Sequence, residues 1–194
     1  FGRIREKIDR EMDEKRNIDK LREYYMESLP ILQENFYTSL IDGRIPEDEI
    51  ERYLDDYQIS LTGPYYVVSI LHISATDISQ NMNTFLLGVS VKKLVEEHME
   101  DEWKSRILMY LGDIVVITQL ERQDQINAFT DFMDQLCRLA KHVCEAIVTA
   151  GIGYVCNNLP DIRQSWQGAR SAVSYRVLYG NTRAINIAEI DPIE

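Results

Sequence analysis

Apolar and polar positions along this 194-residue chain fall into several distinct rhythms. Over residues 3 to 27, Ile4, Ile8, Met12, Ile18, Leu21 and Tyr25 recur about once per helical turn among dense Arg, Lys, Glu and Asp, with Lys15 interrupting the stripe. So thin a stripe suits the seam of two paired helices better than one face of a globular core. At 1.5 Å per residue such a helix spans about 37 Å. Ser28-Leu29-Pro30 then predicts a break, with Ser28 as N-cap and Pro30, which has no backbone N–H, in the first turn of a new helix. That helix carries Leu32, Phe36, Leu40 and Ile41 inward and stops at Asp42-Gly43. Ile45 to Glu49 opens a short third helix bearing Ile50, Tyr53, Leu54 and Tyr57, with acids matched to the positive end of its dipole. The pattern divides the chain into a pairing helix over 1–27, a helical lead-in over 28–62 and a globular domain over 63–194.

The globular part changes rhythm at once. Residues 65 to 74, Tyr-Tyr-Val-Val-Ser-Ile-Leu-His-Ile-Ser, are β-branched, aromatic and nearly all apolar, as expected of a strand covered on both faces at the centre of a sheet. A helix over Met82–Met99 follows, carrying Phe85, Leu86, Val89 and Leu94. Two apolar runs, Arg106 to Tyr110 and Ile114 to Leu120, flank a predicted Gly112-Asp113 hairpin turn. A helix from about Asp124 to Ile147, a strand over Val148–Cys156 containing Gly151-Ile152-Gly153, and a helix capped by Asn158 with Pro160 in its first turn come next. Gly180-Asn181 closes that helix, and Ala184 to Ile187 adds an edge strand. The order β-α-β-β-α-β-α-β predicts an α+β sandwich, with no internal repeat.

Charge narrows the partners. Residues 1 to 33 carry eight basic and eight acidic side chains, so the whole net charge of −11 lies in the remaining 161 residues. A domain that acidic repels a phosphate backbone, which argues against direct contact with DNA. The apolar runs fall short of the ~20 residues a bilayer crossing needs, and no membrane partner is expected. Three cysteines, Cys137, Cys144 and Cys156, lack CxxC spacing; they read as small core residues in a reducing, cytoplasmic setting. Cys137 and Cys144 fall on one helix face with Met133, Ala140 and Ile147. The chain opens on Phe1 and reads as a piece of a longer protein.

Chemistry-bearing residues are sparse. His72 at the end of the first strand has no carboxylate or second histidine identifiable by spacing and reads as a hydrogen-bonded strand-end histidine. His98 lies in the acidic run 96–102, where Glu97 and Asp101 stand at helical spacing; a solvated acidic face accounts for it. His142 is flanked by core positions, and Asp113 serves its turn. No Gly-rich phosphate loop or Ser/His/Asp constellation is present.

The strand ending in His72-Ile73-Ser74, the hairpin at Leu111-Gly112-Asp113-Ile114-Val115, the strand with Gly151-Ile152-Gly153, and the ending Ala169 to Arg176 with Gly180-Asn181-Thr182-Arg183 together resemble the GGDEF domain of diguanylate cyclases. The resemblance implies a nucleotide-cyclase, palm-type sandwich with a central antiparallel-containing sheet. In that family, acids on the first strand and an acidic pair at the hairpin hold metal ions. Here the first-strand acids fall on His72 and Ser74, Leu111 replaces a glycine, Gly112 and Asp113 remain, and Ile114 stands where the second hairpin acid would be. The upstream Arg-x-x-Asp product-binding motif falls on Glu102 and Ser105. Hard divalent cations need a cluster of oxygen ligands, so the resemblance predicts a degenerate domain with no metal, no cofactor and no cyclase activity.

Ser28 to Phe36, Leu40 to Arg44 and Gly63 to Val68 further resemble the middle region of YesN-like, AraC-type two-component response regulators. That implies a non-catalytic relay and homodimerisation segment, with Ile4, Ile8, Met12, Ile18, Leu21 and Tyr25 as the dimer seam. It also implies DNA contacted only through a helix-turn-helix domain beyond this chain, and a sensor histidine kinase acting through a receiver domain also beyond it. The alternative is a small-molecule sensor using the vacated cleft near His72, Ser74 and Gly112.

Overall fold

The computed structural model describes residues 1–74 and 84–190. Its first element is one helix, α1, running without interruption over Gly2–Asp42. The break expected at Ser28-Leu29-Pro30 is absent. A break would orphan up to four N–H groups and four carbonyls, whereas continuing through Pro30 forfeits one backbone bond on an exposed flank. Ser28 caps nothing; its hydroxyl donates back to the Tyr24 carbonyl at 2.8 Å. What changes at this point is burial. Residues 1–27 are all exposed, and Leu29, Phe36, Tyr37, Leu40 and Ile41 are buried. Gly43 ends the helix at φ 69°, as expected, with its N–H on Leu40 O and Arg44 N–H on Ser39 O, the paired bonds of a Schellman motif.

A short 3₁₀ turn, Glu47–Glu49, leads into α2, Ile50–Asp56. The strands are β1 Tyr65–Ser74, β2 Lys104–Tyr110, β3 Asp113–Leu120, β4 Ile147–Ile152 and β5 Arg183–Asn186. They form a five-stranded sheet in the order β2-β3-β1-β4-β5, antiparallel except for the parallel β4–β5 pair. β1 is the central strand, as its unbroken apolar run predicts. The helices are α3 Thr84–Met99, α4 Gln125–Cys144, α5 Ile162–Ser174, and the short α6 Arg176–Tyr179 and α7 Ile187–Ile190. Residues 82 and 83, where α3 was expected to begin, lie outside the described residues. α4 stops at Cys144, short of the expected Ile147, because Glu145 turns left-handed at φ 56°; β4 begins one residue early, at Ile147, and ends at Ile152 instead of Cys156. That removes Ile147 from the helix face shared by Met133, Cys137 and Ala140.

Strand alternation sends side chains to two cores. Val67, Leu71, Ile114, Val116, Val148 and Ile152 pack under α3 and α4. Tyr66, Val68, Ile70, Leu108, Val115 and Ile117 pack under α5, α2 and the last turns of α1. α5 sits unusually close to the sheet: a Cβ on Gly151 would come 2.2 Å from Ala169 O, and one on Gly153 1.9 Å from Ser165 O. Gly151 on β4 and Gly153 just after it are therefore the condition for this packing. Asn158 caps the 3₁₀ turn Leu159–Asp161 that opens into α5, its Oδ1 accepting from Asp161 N at 3.0 Å. No helix among the described residues is long and apolar enough to cross a membrane.

Candidate functional site

The end of β1 and the tip of the β2–β3 hairpin lie side by side. The ladder pairs Leu71 with Ile114, so the next residues outward, His72 and Asp113, face each other on the α5 side of the sheet. Their side chains meet: His72 Nδ1–H donates to Asp113 Oδ1 at 2.8 Å, each side chain 29% exposed. Asp113 therefore does more than serve its turn. The turn itself is Leu111-Gly112, with φ of 49° and 83°, closed by the Tyr110–Asp113 pair. Two positive φ values match the right-handed strand twist of two-residue hairpins. The expected Gly112-Asp113 turn is thus one residue out of step, and Asp113 is the first residue of β3.

The other positions divide by face. Ile114 points away from His72 and Asp113 into the α3/α4 core with no exposed surface. Ser74 pairs with Ile147 at the end of β1, and Leu111 is 71% exposed at the hairpin tip. Asp113 is engaged by an imidazole and Ile114 is core. Among the described residues no group of three or more His, Cys, Asp or Glu side chains is placed to hold a metal ion. What remains is a cross-strand pair that orients one imidazole and fastens β1 to β3. His98 makes a local bond, Nδ1–H to Leu94 O at 2.8 Å, and His142 is exposed.

The cysteines are set in apolar surroundings. Burial pushes the Cys137 thiol up to about 12 and that of Cys156 up to about 11, and raises Cys144 as well. Cys137 is fully buried, while Cys144 and Cys156 are half-buried.

A further contact ties the foot of α1 to the sheet. Tyr110, the last residue of β2, donates its phenol hydroxyl to Asp42 Oδ1, the last residue of α1. Asp42 Oδ2 is 3.3 Å from Arg44 Nη2, and Arg163 Nη1 donates to the Asp42 and Ile41 carbonyls at 2.7 and 3.3 Å. The guanidinium thus answers the partial negative charge of the α1 C-terminus. Tyr110 packs edge-on against Trp166 of α5, ring centres 5.4 Å apart, and the Asp42 bond raises its phenol pKa. The foot of α1 is fastened both to the hairpin that carries Asp113 and to α5. The available signal was Asp42 preceding a helix-ending glycine; nothing in spacing pointed to Tyr110.

The predicted seam residues Ile4, Ile8, Met12, Ile18, Leu21 and Tyr25 are all exposed on the free part of α1. Compared with known families, residues 42–175 match the GGDEF-like domain. No curated protein matches the chain.

Proposed function

The chain belongs to the GGDEF-like domain family, and from that premise we propose that it is a non-catalytic relay and dimerisation segment of a two-component response regulator of transcription. The receiver and the AraC-type DNA-binding domain of that regulator are proposed to lie outside residues 1–194. The observation that carries the reading is α1: residues 1–27 bury nothing, yet they continue as the same unbroken helix into the domain.

An apolar stripe left exposed along seven turns is stabilised when a second copy covers it. Pairing through Ile4, Ile8, Met12, Ile18, Leu21 and Tyr25 makes a homodimer whose two helices move together. A change in their register or rotation travels along an unbroken helix to Asp42. There the hydrogen bond to Tyr110 and the Arg163 contacts hand it to the β2–β3 hairpin and α5. The His72–Asp113 bond joins the same hairpin to the central strand, so the sheet follows as one body. Spacing between two attached DNA-binding domains is the output. The site supports relay over catalysis because the one carboxylate left at the hairpin is bonded to His72.

The test is an Ile8→Asp/Leu21→Asp variant in the intact regulator, read by transcription from its target promoter. Loss of the regulated response with normal protein levels is expected. An unchanged response overturns the relay. Incubation of the chain with GTP and Mg²⁺ or Mn²⁺ is expected to yield no cyclic dinucleotide, and product would overturn the non-catalytic reading.

A further inference from the structure

The two flanks of α5 differ in chemistry. Toward α1, Arg163 holds the α1 carbonyls and Arg170 lies over the Trp166 ring, 5.6 Å from its centre. Toward α7 and the segment after β4, the exposed residues are Gln164, Gln167, Ser171 and Ser174. In a chain with 27% charged residues and a net charge of −11, an exposed helix flank without one charge stands out.

That flank lines a groove of about 610 Å³, completed by Tyr154, Gly168, Tyr175 and Ile187. The size is that of a small-molecule site. Its floor is shaped by Gly168, where an added Cβ would lie 2.9 Å from the Tyr154 ring and 3.3 Å from Ile187. Tyr154 thus rests against bare backbone and presents an exposed aromatic body beside the amides. A second hollow of about 330 Å³ shares Tyr154 and Gln164, adding Gln123, Asn157, Asp161 and Ser165. The Asp161 carboxylate there is already taken by Asn158 Nδ2 at 2.8 Å.

The lining selects a ligand class. Each amide offers donors and an acceptor, each hydroxyl can do either, and the phenol rings supply flat apolar faces. Among the described residues lining the larger groove, an anionic ligand finds no cation and a cationic one finds no carboxylate. A purely apolar ligand would strand the Gln164 and Gln167 amides and the Ser171 hydroxyl, whereas the Ser174 hydroxyl already donates to the Ser171 carbonyl and keeps only its acceptor side for a ligand. A neutral polyhydroxylated molecule satisfies both the polar groups and the rings. We infer that the groove between α5, α7 and Tyr154 binds an uncharged saccharide, with Tyr154 as platform and Gln164, Gln167, Ser171 and Ser174 as hydrogen-bonding groups. This site is separate from the hairpin and from the α1 seam, and its fate is independent of the relay.

Titration calorimetry of the whole chain tests it, with glucose, xylose and galactose and their neutral linked trisaccharides as probes. Saturable binding of at least one probe is expected. Tyr154→Ala is expected to weaken that binding about tenfold or more, a loss of about 1.4 kcal/mol. Gln164→Ala/Gln167→Ala, confined to exposed side chains, is expected to weaken it several-fold with an unchanged melting temperature. Absence of binding by every probe, or equal binding by both variants, overturns the inference. Binding of an uncharged penta-alanine peptide in place of any saccharide assigns the groove to peptides and also overturns it.

Discussion

Residues 2–27 and 29–42 belong to one unbroken helix and yet live in different surroundings. The first stretch buries no side chain, and its apolar stripe is one residue wide per turn. The second buries Leu29, packs Phe36, Tyr37, Leu40 and Ile41 into the core shared by the sheet and α5, and ends in a Schellman motif tied to Tyr110 and Arg163. The difference shows that helical backbone alone does not say what holds a segment. The docked half is held by the domain, whereas the free half packs on nothing in the domain, and the proposed pairing is what buries its apolar stripe. The match to the GGDEF-like family begins at Asp42, where the docked half ends.

The comparison can be broken most sharply by equal truncations in the two halves. Phe36→Ala, which empties a fully packed position, is expected to cost about 3–5 kcal/mol in urea unfolding of the dilute chain. Leu21→Ala is expected to change the same midpoint by no more than ~0.5 kcal/mol. A large cost for Leu21→Ala under dilute conditions would mean that the free half packs on the domain.

The junction is tested next. Tyr110→Phe removes the phenol that bonds Asp42 and is expected to cost about 1 kcal/mol. Its cost is expected to vanish in alkali. The Asp42 bond raises the Tyr110 pKa above 10.0, so the native state keeps that proton longer than the unfolded chain does. The contribution is full below pH 10.0 and is lost as pH rises through the raised value. Urea midpoints of the two proteins that stay separated well above that range would contradict the assigned bond.

A smaller effect than at the junction is expected at the hairpin. His72→Ala gives up a part-exposed bond to Asp113 worth about 0.5–1 kcal/mol. Combined with Tyr110→Phe it is expected to depart from additivity by about 0.5 kcal/mol, because Tyr110 and Asp113 close the same turn. Additive losses would confine the junction to α1 and detach it from the site.

Which parts of this were legible depended on the range of the interaction. β1 could be placed centrally because ten nearly all-apolar residues leave no face for solvent, and Gly43 marked a helix end because only a left-handed residue closes that motif cheaply. Pro30 carries a local break signal that the helix overrides, since losing one bond costs less than opening two helix ends. The hairpin turn slipped by one residue because Leu111 adopts a positive φ that a branched apolar residue seldom takes. His72–Asp113 and Asp42–Tyr110 were hidden for a different reason. Both depend on strand register and helix docking across 41 and 68 residues, and neither leaves a local spacing to read. The loss of a second hairpin acid was visible at Ile114, but its burial in the α3/α4 core was not.

The mass of the chain in solution tests the central claim most directly. Sedimentation equilibrium at high micromolar concentration is predicted to give twice the 22.6 kDa of one chain, falling to 22.6 kDa in Ile8→Asp/Leu21→Asp with an unchanged far-ultraviolet spectrum of the folded domain. A wild-type mass of 22.6 kDa at every concentration would contradict the account, for α1 would then carry its apolar stripe with no second copy to cover it.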